Sequence, residues 1–333
     1  MNLRPVAATF LFLFLSPVRV TAQTPQACIY QTENGKFVQV KTPREIPERY
    51  RNSARCFSQR AEQPMANPSE IQLDGTIRRE ELISPVGKIH LRWPRKVELL
   101  FGRTPQRALA DAAQTVSRAI KHAGFPGEIQ RLNLEWQVVF MDETVPETQI
   151  PTYLVNNCHP AWMTPPANIY VVAQRVVAGC GGNERLTSKV ADGELAQILI
   201  HEMGHAIESQ LLGGRMSGNR MQHEGFATWF ERYAAEYSSV IANGKVRTHH
   251  EKLAREAVSQ SPSYFSFSGS PYDYARASMY FEVIVERSNV RRLMEVYEVM
   301  AKEGLDFFSA VTKRLGWNEK RLETEVVKRL GLA

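Results

Sequence analysis

The chain has 333 residues, a formal net charge of +6 and a hydrophobic fraction of 43%. It contains no internal repeat or low-complexity tract, which argues against a repeat or fibrous protein. The positive charge is spread over the chain without a dense basic run, so the composition gives no support for nucleic acid as a partner.

The first 22 residues predict a secretory signal peptide. Arg4 supplies the positive start, residues 6–15 form an apolar core, and small residues end the segment at Ala22. The apolar core is too short to span a bilayer. We therefore expect a secreted or periplasmic bacterial protein with no transmembrane segment after cleavage. Cleavage removes Arg4, Arg19 and no acidic residue, which leaves a charge of +4.

Residues 23–59 predict a small N-terminal module. Strand-like runs at residues 28–30 and 36–40 flank Asn34-Gly35, a strong hairpin signal. The segment is too short for an apolar core of its own, so we expect a covalent staple. Its role is left open between a docking or cell-wall-binding module and a plain N-terminal appendage.

The four cysteines are expected to form disulfides, because an exported protein meets an oxidising compartment. Of the three possible pairings we favour Cys28–Cys56 and Cys158–Cys180, since each of these pairs closes a local segment. The alternative is that some of the cysteines are free and buried.

Residues 60–77 are predicted to be a linker, and residues 78–333 form the main domain. Its first part predicts strands at 88–92, 132–141 and 168–172, and a helix capped by Thr104 that ends near residue 122. A proline-rich loop spans 142–166 and a glycine-rich loop spans 178–183. From residue 191 the pattern is helical, with further helices at about 221–242, 247–260, 274–287, 291–302, 305–315 and 318–330. Strands followed by helices indicate an α+β fold.

The helix predicted at residues 191–212, with Asp192 as its N-cap, contains His201-Glu202-Met203-Gly204-His205. Residues four apart lie on one helix face, so His201 and His205 can ligate one zinc ion. Glu202 can reach a water molecule at that ion without ligating it.

The third protein ligand is predicted to be Glu224. It follows His205 after eighteen residues, and Gly213-Gly214 ends the first helix before a second one begins near Met221. Two helices joined by a short turn can bring Glu224 beside the two histidines. We expect one zinc ion per chain, with water in the fourth position.

His-Glu-x-x-His, the eighteen-residue gap and Glu224-Gly225-Phe226-Ala227 resemble the gluzincin zinc metallopeptidases, and most closely the branch of aminopeptidase N, leukotriene hydrolase and the bacterial peptidase MA-like proteins. The resemblance implies a thermolysin-like catalytic domain, in which a mixed sheet with an active-site helix precedes a helical half. It also implies hydrolysis of peptide bonds, with Glu202 as the general base.

The resemblance further implies a tyrosine that stabilises the oxyanion. Tyr272 matches best because a proline precedes it, and Tyr274 is the second choice; packing roles for both are the alternative. Glu231 follows Glu224 by seven residues on the same helix face, and is either a partner of a liganding histidine or a solvated residue. His223 is expected to line the cleft without ligating.

Aminopeptidases of the resembled branch carry a Gly-x-Met-Glu-Asn segment, and residues 88–190 contain none. We therefore expect an endopeptidase that acts on a peptide or protein, or a hydrolase of another amide such as a cell-wall peptide. Residues 169–172 are the candidate edge strand for pairing with the substrate backbone. The competing hypothesis is a catalytically degenerate zinc-binding envelope protein that binds peptides or cell-wall material. The presence of Glu202 argues against it.

Overall fold

The computed structural model describes residues 26–31, 37–40, 46–50, 55–58, 67–142, 159–178, 186–260, 267 and 269–332. The chain divides into two compact units, residues 1–65 and 66–333. The division falls inside the segment 60–77 that the sequence assigns to a linker. The predicted signal peptide and the predicted pair Cys158–Cys180 lie outside the described residues.

Three short strands make up the described sheet of the first unit: β1 (Gln26–Gln31), β2 (Phe37–Val40) and β3 (Arg55–Ser58). Their order is β2-β1-β3, both pairs are antiparallel, and a 3-10 helix spans Glu48–Tyr50. The register places Cys28 directly opposite Cys56. Opposed residues of antiparallel strands have Cα atoms about 4.5–5.5 Å apart, which suits a disulfide. The Cys28–Cys56 bond itself stays a prediction.

A five-stranded mixed sheet opens the second unit. Its strands are β4 (Ile77–Ser84), β5 (Gly87–Pro94), β6 (Leu134–Met141), β7 (Ala161–Thr164) and β8 (Asn168–Val172). The order is β4-β5-β6-β8-β7, in which β5, β6 and β8 are parallel and the two edge strands are antiparallel. The three parallel strands are the predicted ones, and the two edge strands have no counterpart in the prediction.

The first helices pack against this sheet, and the later helices form the C-terminal half. A 3-10 helix spans Arg95–Leu100. The α-helices are α1 (Pro105–Ala123), α2 (Gly127–Gln130), α3 (Ala173–Ala178), α4 (Ser188–Leu211), α5 (Arg220–Ala235), α6 (Lys245–Gln260), α7 (Pro271–Arg287), α8 (Val290–Glu303), α9 (Phe307–Leu315) and α10 (Glu319–Arg329). The predicted α+β architecture, a mixed sheet followed by a helical half, is confirmed.

The local signals at the start of α1 are found as predicted. The hydroxyl of Thr104 accepts a hydrogen bond from the backbone N–H of Arg107, and Pro105 occupies the first helical position. Gly124 ends the helix in the left-handed conformation, with a φ of 69°. The helix packs its apolar face into a continuous core with the sheet and with α4.

The prediction of Asp192 as the N-cap of α4 is wrong. The helix begins at Ser188, and the first helical hydrogen bond runs from the N–H of Ala191 to the carbonyl of Thr187. The carboxylate of Asp192 instead accepts the backbone N–H groups of Gly102 and Arg103. Asp192 therefore ties a loop before α1 to α4, which its own stretch of sequence does not reveal.

Two other helices differ from their predicted bounds by three residues or more. Helix α5 stops at Ala235 rather than near residue 242, because the hydroxyl of Ser238 accepts the N–H groups of Val240 and Ile241 and turns the chain. Helix α7 begins three residues early, at Pro271. A capping box between Ser270 and Asp273 fixes that start.

Among the described residues, no helix combines the length and the apolar character that crossing a bilayer requires.

Candidate metal centre

Helices α4 and α5 bring three side chains of the motif together. His201 and His205 lie on α4, and Glu224 lies on α5. Oxygen Oε2 of Glu224 is 3.4 Å from Nε2 of His201 and 3.4 Å from Nε2 of His205. The three ligand atoms thus form one compact group, as the spacing of the motif predicts.

Two glycines let the helices approach closely enough for this arrangement. A Cβ atom at Gly204 of α4 would lie 3.2 Å from the Cα atom of Ala227 in α5. A Cβ atom at Gly225 would lie 2.9 Å from the ring of Phe281 and 3.0 Å from the Cβ atom of Ala277, both in α7. The motif glycines therefore set the distances between three helices, in addition to any part they have in the site.

The geometry of the three side chains fits a zinc ion. Ligands at about 2.0–2.1 Å from a tetrahedral zinc lie about 3.3–3.4 Å from one another, and the Oε2–Nε2 distances have this value. Two imidazole nitrogens and one carboxylate oxygen are also a donor set that zinc accepts readily in catalytic sites.

The protonation states of Glu224 and His205 favour a bound cation. Burial raises the pKa of Glu224, but the bonds to His201 and His205 lower it more, to well below its ordinary value. The pKa of His205 is lowered to about 3, mainly by burial and secondly by the neighbouring His223. An ionised carboxylate and a neutral imidazole are the forms that bind a metal. Burial lowers the pKa of His201, but its bonds to Glu224 and Glu231 raise it more, so a metal ion would replace a proton on this ring.

Glu202 lies beside the three ligand atoms and lines the same cavity. Its side chain is buried, and its Oε2 atom has no hydrogen-bond partner among the described residues. Burial raises the pKa of Glu202 to about 8, against a smaller lowering by His201. The Oε2 atom of this buried carboxyl group is therefore available to a water molecule or a substrate in the cavity.

Glu231 contacts Nδ1 of His201, the ring nitrogen that faces away from Glu224. Of the two roles predicted for Glu231, a partner of a histidine or a solvated residue, the geometry favours the first. Its Oε2 atom lies 2.9 Å from Nδ1 of His201, and its Oε1 atom accepts the amide of Gln197 at 2.6 Å. His250 of α6 approaches the same oxygen at 3.6 Å. A carboxylate behind a liganding histidine fixes the ring and its tautomer.

His205 has a different support. Its Nδ1 atom is buried without a hydrogen-bond partner among the described residues, and its ring stacks on His223 with the centroids 3.8 Å apart. His223 is fixed in turn by Glu208, whose Oε2 atom is 2.5 Å from Nδ1 of His223. Glu208 also accepts hydrogen bonds from Gln222 and Tyr297.

His205, Glu208 and His223 also lie close enough together to be considered as a metal site. Their contacts argue otherwise, since Glu208 is satisfied by three donors within 2.5–3.1 Å. Stacked imidazoles also direct their in-plane lone pairs away from a shared ion. We therefore interpret this group as a buried hydrogen-bond network behind the centre.

The structure brings Tyr274 to the site and leaves Tyr272 outside it. The side chain of Tyr272 is 40% exposed, whereas Tyr274 lines the cavity with its ring 6.3 Å from that of His201. Burial, and next the charge of Glu224, raises the pKa of Tyr274, so its hydroxyl keeps its proton. Pro271, the residue before Tyr272, is the first residue of α7. Tyr274 follows Tyr272 by two residues on this helix, so the two tyrosine side chains point to opposite sides of it.

The group opens into a cavity of about 530 Å³. One wall is the edge strand β7, with Trp162 and Met163 among its lining residues. The prediction that residues 169–172 form the edge strand is wrong, because β8 is paired on both sides, with β6 and β7. The apolar run of β8 signals a buried strand, whereas the short β7 has no such signal.

Sequence reasoning missed several residues of this site. They are Gln197, Glu208, Arg220, His250 and His159, of which Gln197, His159 and Arg220 line the cavity. Glu208 and Arg220 stand one helical turn from His205 and Glu224, so helix periodicity offered a weak signal for both. Gln197 stands one turn before His201 on α4, so the same weak signal applies to it, whereas His159 and His250 reach the site through tertiary packing, for which the sequence has no local signal.

No protein-family model matches the sequence. A search of curated proteins gives no match either. Solved structures similar to the chain include an M1 zinc metallopeptidase from Deinococcus radiodurans (TM-score 0.38, 11% identity) and a mutant form of it (TM-score 0.39, 11% identity). A two-domain M1 zinc metallopeptidase mutant bound to L-tryptophan is similar to the same degree, with a TM-score of 0.39 and 11% identity.

These similarities cover 92–93% of this chain, which spans only 60–61% of the length of the solved structures. Likeness at this TM-score supplies no argument about function.

Proposed function

We propose that the protein is a zinc-dependent hydrolase of peptide bonds. The observation that supports this most is that Oε2 of Glu224 lies 3.4 Å from Nε2 of both His201 and His205. Beside them is Glu202, whose Oε2 atom has no hydrogen-bond partner among the described residues. When bound, zinc supplies Lewis-acid chemistry and lowers the pKa of a water molecule to about 7.

Three side chains near the proposed zinc site transfer the proton, stabilise the oxyanion and orient a ligand. Glu202 accepts the proton of the attacking water and passes it to the leaving amine. Tyr274 keeps its hydroxyl proton and donates a hydrogen bond to the developing oxyanion. Glu231 holds the ring of His201 in the orientation that presents Nε2. We assign no chemical role to Tyr272, because its side chain points to solvent.

The substrate is proposed to be an extended peptide. The strand β7 borders the cavity and, among the described strands, pairs only with β8, so its other side can pair with a peptide backbone. We favour an endopeptidase over an aminopeptidase, since residues 88–190 lack the amine-holding segment of the resembled aminopeptidases. Export by the N-terminal segment remains part of this proposal.

The test is hydrolysis of a mixed peptide library by the purified protein, with and without a chelator. Glu202→Gln is the decisive variant, because it preserves shape and removes the base. We expect chelator-sensitive cleavage at internal bonds. We also expect a loss of at least about 10²-fold in kcat for the variant at unchanged zinc content. Full activity of Glu202→Gln would overturn the assigned base. Zinc without cleavage would favour the binding-protein alternative.

A further inference from the structure

Arg220 contacts two functional groups of the proposed site. Its Nη2 atom donates to the hydroxyl oxygen of Tyr274 at 3.3 Å. Its Nε atom lies 3.8 Å from Oε1 of Glu224, the carboxylate oxygen that does not face the two histidines. One guanidinium therefore connects the proposed third ligand to the proposed oxyanion donor.

The side chain of Arg220 is 47% exposed, and several neighbours contact its buried part. Arg220 is the first residue of α5, whose N-cap Asn219 accepts the N–H of Gln222. The guanidinium carbon lies 5.6 Å from the centre of the Phe267 ring, a cation–π contact. A Cβ atom at Gly269 would lie 3.1–3.2 Å from the guanidinium, and this glycine has a φ of 91°. The loop before α7 thus leaves room for the arginine.

We propose that Arg220 is a positioning residue that holds the Tyr274 hydroxyl with its proton directed at the reacting carbonyl group. The inference rests on the proposed function. The phenol oxygen accepts from Arg220, so its own O–H can still donate: to the neighbouring Glu224 carboxylate in the free site, and to the oxyanion when a substrate is bound. A donor that itself accepts a charged hydrogen bond is a stronger donor, because the two bonds polarise each other.

The same arginine has a second effect on the site. Its contact with Oε1 of Glu224 opposes rotation of the carboxylate, so Oε2 stays directed at the histidines. A guanidinium provides separate N–H groups at fixed angles for the two contacts, whereas a lysine ammonium is a point charge that cannot match both. Arg220→Lys should therefore keep the charge and lose most of the positioning.

A double-mutant cycle tests the inference on the zinc-loaded protein. Tyr274→Phe should lower kcat by about 10²-fold, and Arg220→Gln by about 10- to 100-fold, with KM changed little. Because Arg220 acts mainly through Tyr274, the two losses should not multiply: Arg220→Gln should slow the Tyr274→Phe variant by much less than it slows the wild type. Arg220→Lys should fall between Arg220→Gln and the wild type, and Arg291→Gln, which removes an exposed i,i+4 partner of Glu295, should leave kcat unchanged.

Ligand binding gives a readout that does not depend on turnover. A phosphinic peptide presents a tetrahedral oxyanion, whereas a thiol peptide binds zinc without one. Arg220→Gln should weaken the phosphinic peptide about 10-fold or more in calorimetry and leave the thiol peptide within about 2-fold. Equal weakening of both ligands, or independent losses in the cycle, would overturn the inference. A wild type without zinc or without chelator-sensitive hydrolysis would overturn the proposed function first, and the inference with it.

Discussion

The three proposed ligands are held by three different kinds of contact. Glu231 accepts a hydrogen bond from His201, the ring of His223 stacks on His205, and Arg220 contacts the outer oxygen of Glu224. Each support comes from a residue on α5, so one helix orients the whole group. Substitutions on α5 that spare the ligands should therefore change metal affinity.

Glu231→Gln tests this for His201. The amide cannot stabilise the imidazole as a carboxylate does, so zinc affinity should fall about 10- to 100-fold. Competition with a chromogenic chelator measures it. The control is Glu236→Gln, one residue past the end of α5, where the carboxylate contacts Arg247 and no ligand. Equal affinity for Glu231→Gln and the wild type would show that the contact does not support the metal.

Glu202→Gln should stabilise the metal-free protein, and more so at high pH. Burial raises the pKa of Glu202 from 4.5 to about 8, so the folded state holds a proton that the unfolded state releases between these values. Stability therefore falls as pH rises from about 4.5 to 8, by about 1.4 kcal/mol for each unit of pKa difference. The glutamine variant has no group that titrates at this position, so its free energy of unfolding does not show this decrease.

Urea unfolding of chelator-treated wild type and Glu202→Gln at pH 5 and pH 9 measures the effect. The advantage of the variant should grow by a few kcal/mol between the two pH values. The low pKa values of Glu224 and Glu231 do not produce a change in this window, because both groups are ionised in either state above about pH 5. A pH-independent difference would contradict the burial of an ionisable Glu202.

At the scale of elements, the helices that form the site pack with little space between them. Gly225→Ala should cost about 1–3 kcal/mol, because a Cβ atom there meets Phe281 at 2.9 Å and Ala277 at 3.0 Å. Gly193→Ala on α4 is the matched control. Its Cβ atom would meet nothing within 4 Å, so the helix should gain about 0.5–1 kcal/mol. Thermal unfolding of the two variants should move in opposite directions, and equal shifts would contradict the close approach of α5 and α7.

What the sequence predicts well is what short stretches determine. The cap at Thr104 and the four-residue spacing of His201 and His205 are local, and the structure contains both. The position of β7 at the edge of the sheet depends on pairing between distant segments, which no local pattern encodes. The sequence therefore predicts the edge strand at residues 169–172 and not at β7. Asp192 is of a residue type that often caps helices, but its carboxylate accepts a hydrogen bond from Gly102, ninety residues earlier in the chain.

The two tyrosines show the same limit within a few residues. A motif match by the preceding proline favours Tyr272, but the direction of each side chain depends on where α7 begins. The capping box at Ser270 sets that start. The contact of Arg220 with Tyr274 joins residues 54 apart, and no pattern within either helix predicts it.

At the scale of the whole molecule, a metal ion would link α4 to α5 in the second unit. A ligand that binds only the folded state stabilises it by about 2.7 kcal/mol at one hundred times its dissociation constant. Chelation should therefore lower the melting temperature of the wild type and leave that of Glu224→Ala unchanged. An unaltered wild-type melting temperature would argue against a metal that is coupled to folding.

The most direct test of the account is the zinc content of the purified wild-type protein and of Glu224→Ala after dialysis, measured by inductively coupled plasma mass spectrometry. The geometry of His201, His205 and Glu224 predicts one zinc ion per chain in the wild type and a large loss in the variant. A wild type without zinc, or a variant that retains it in full, would contradict the proposed centre.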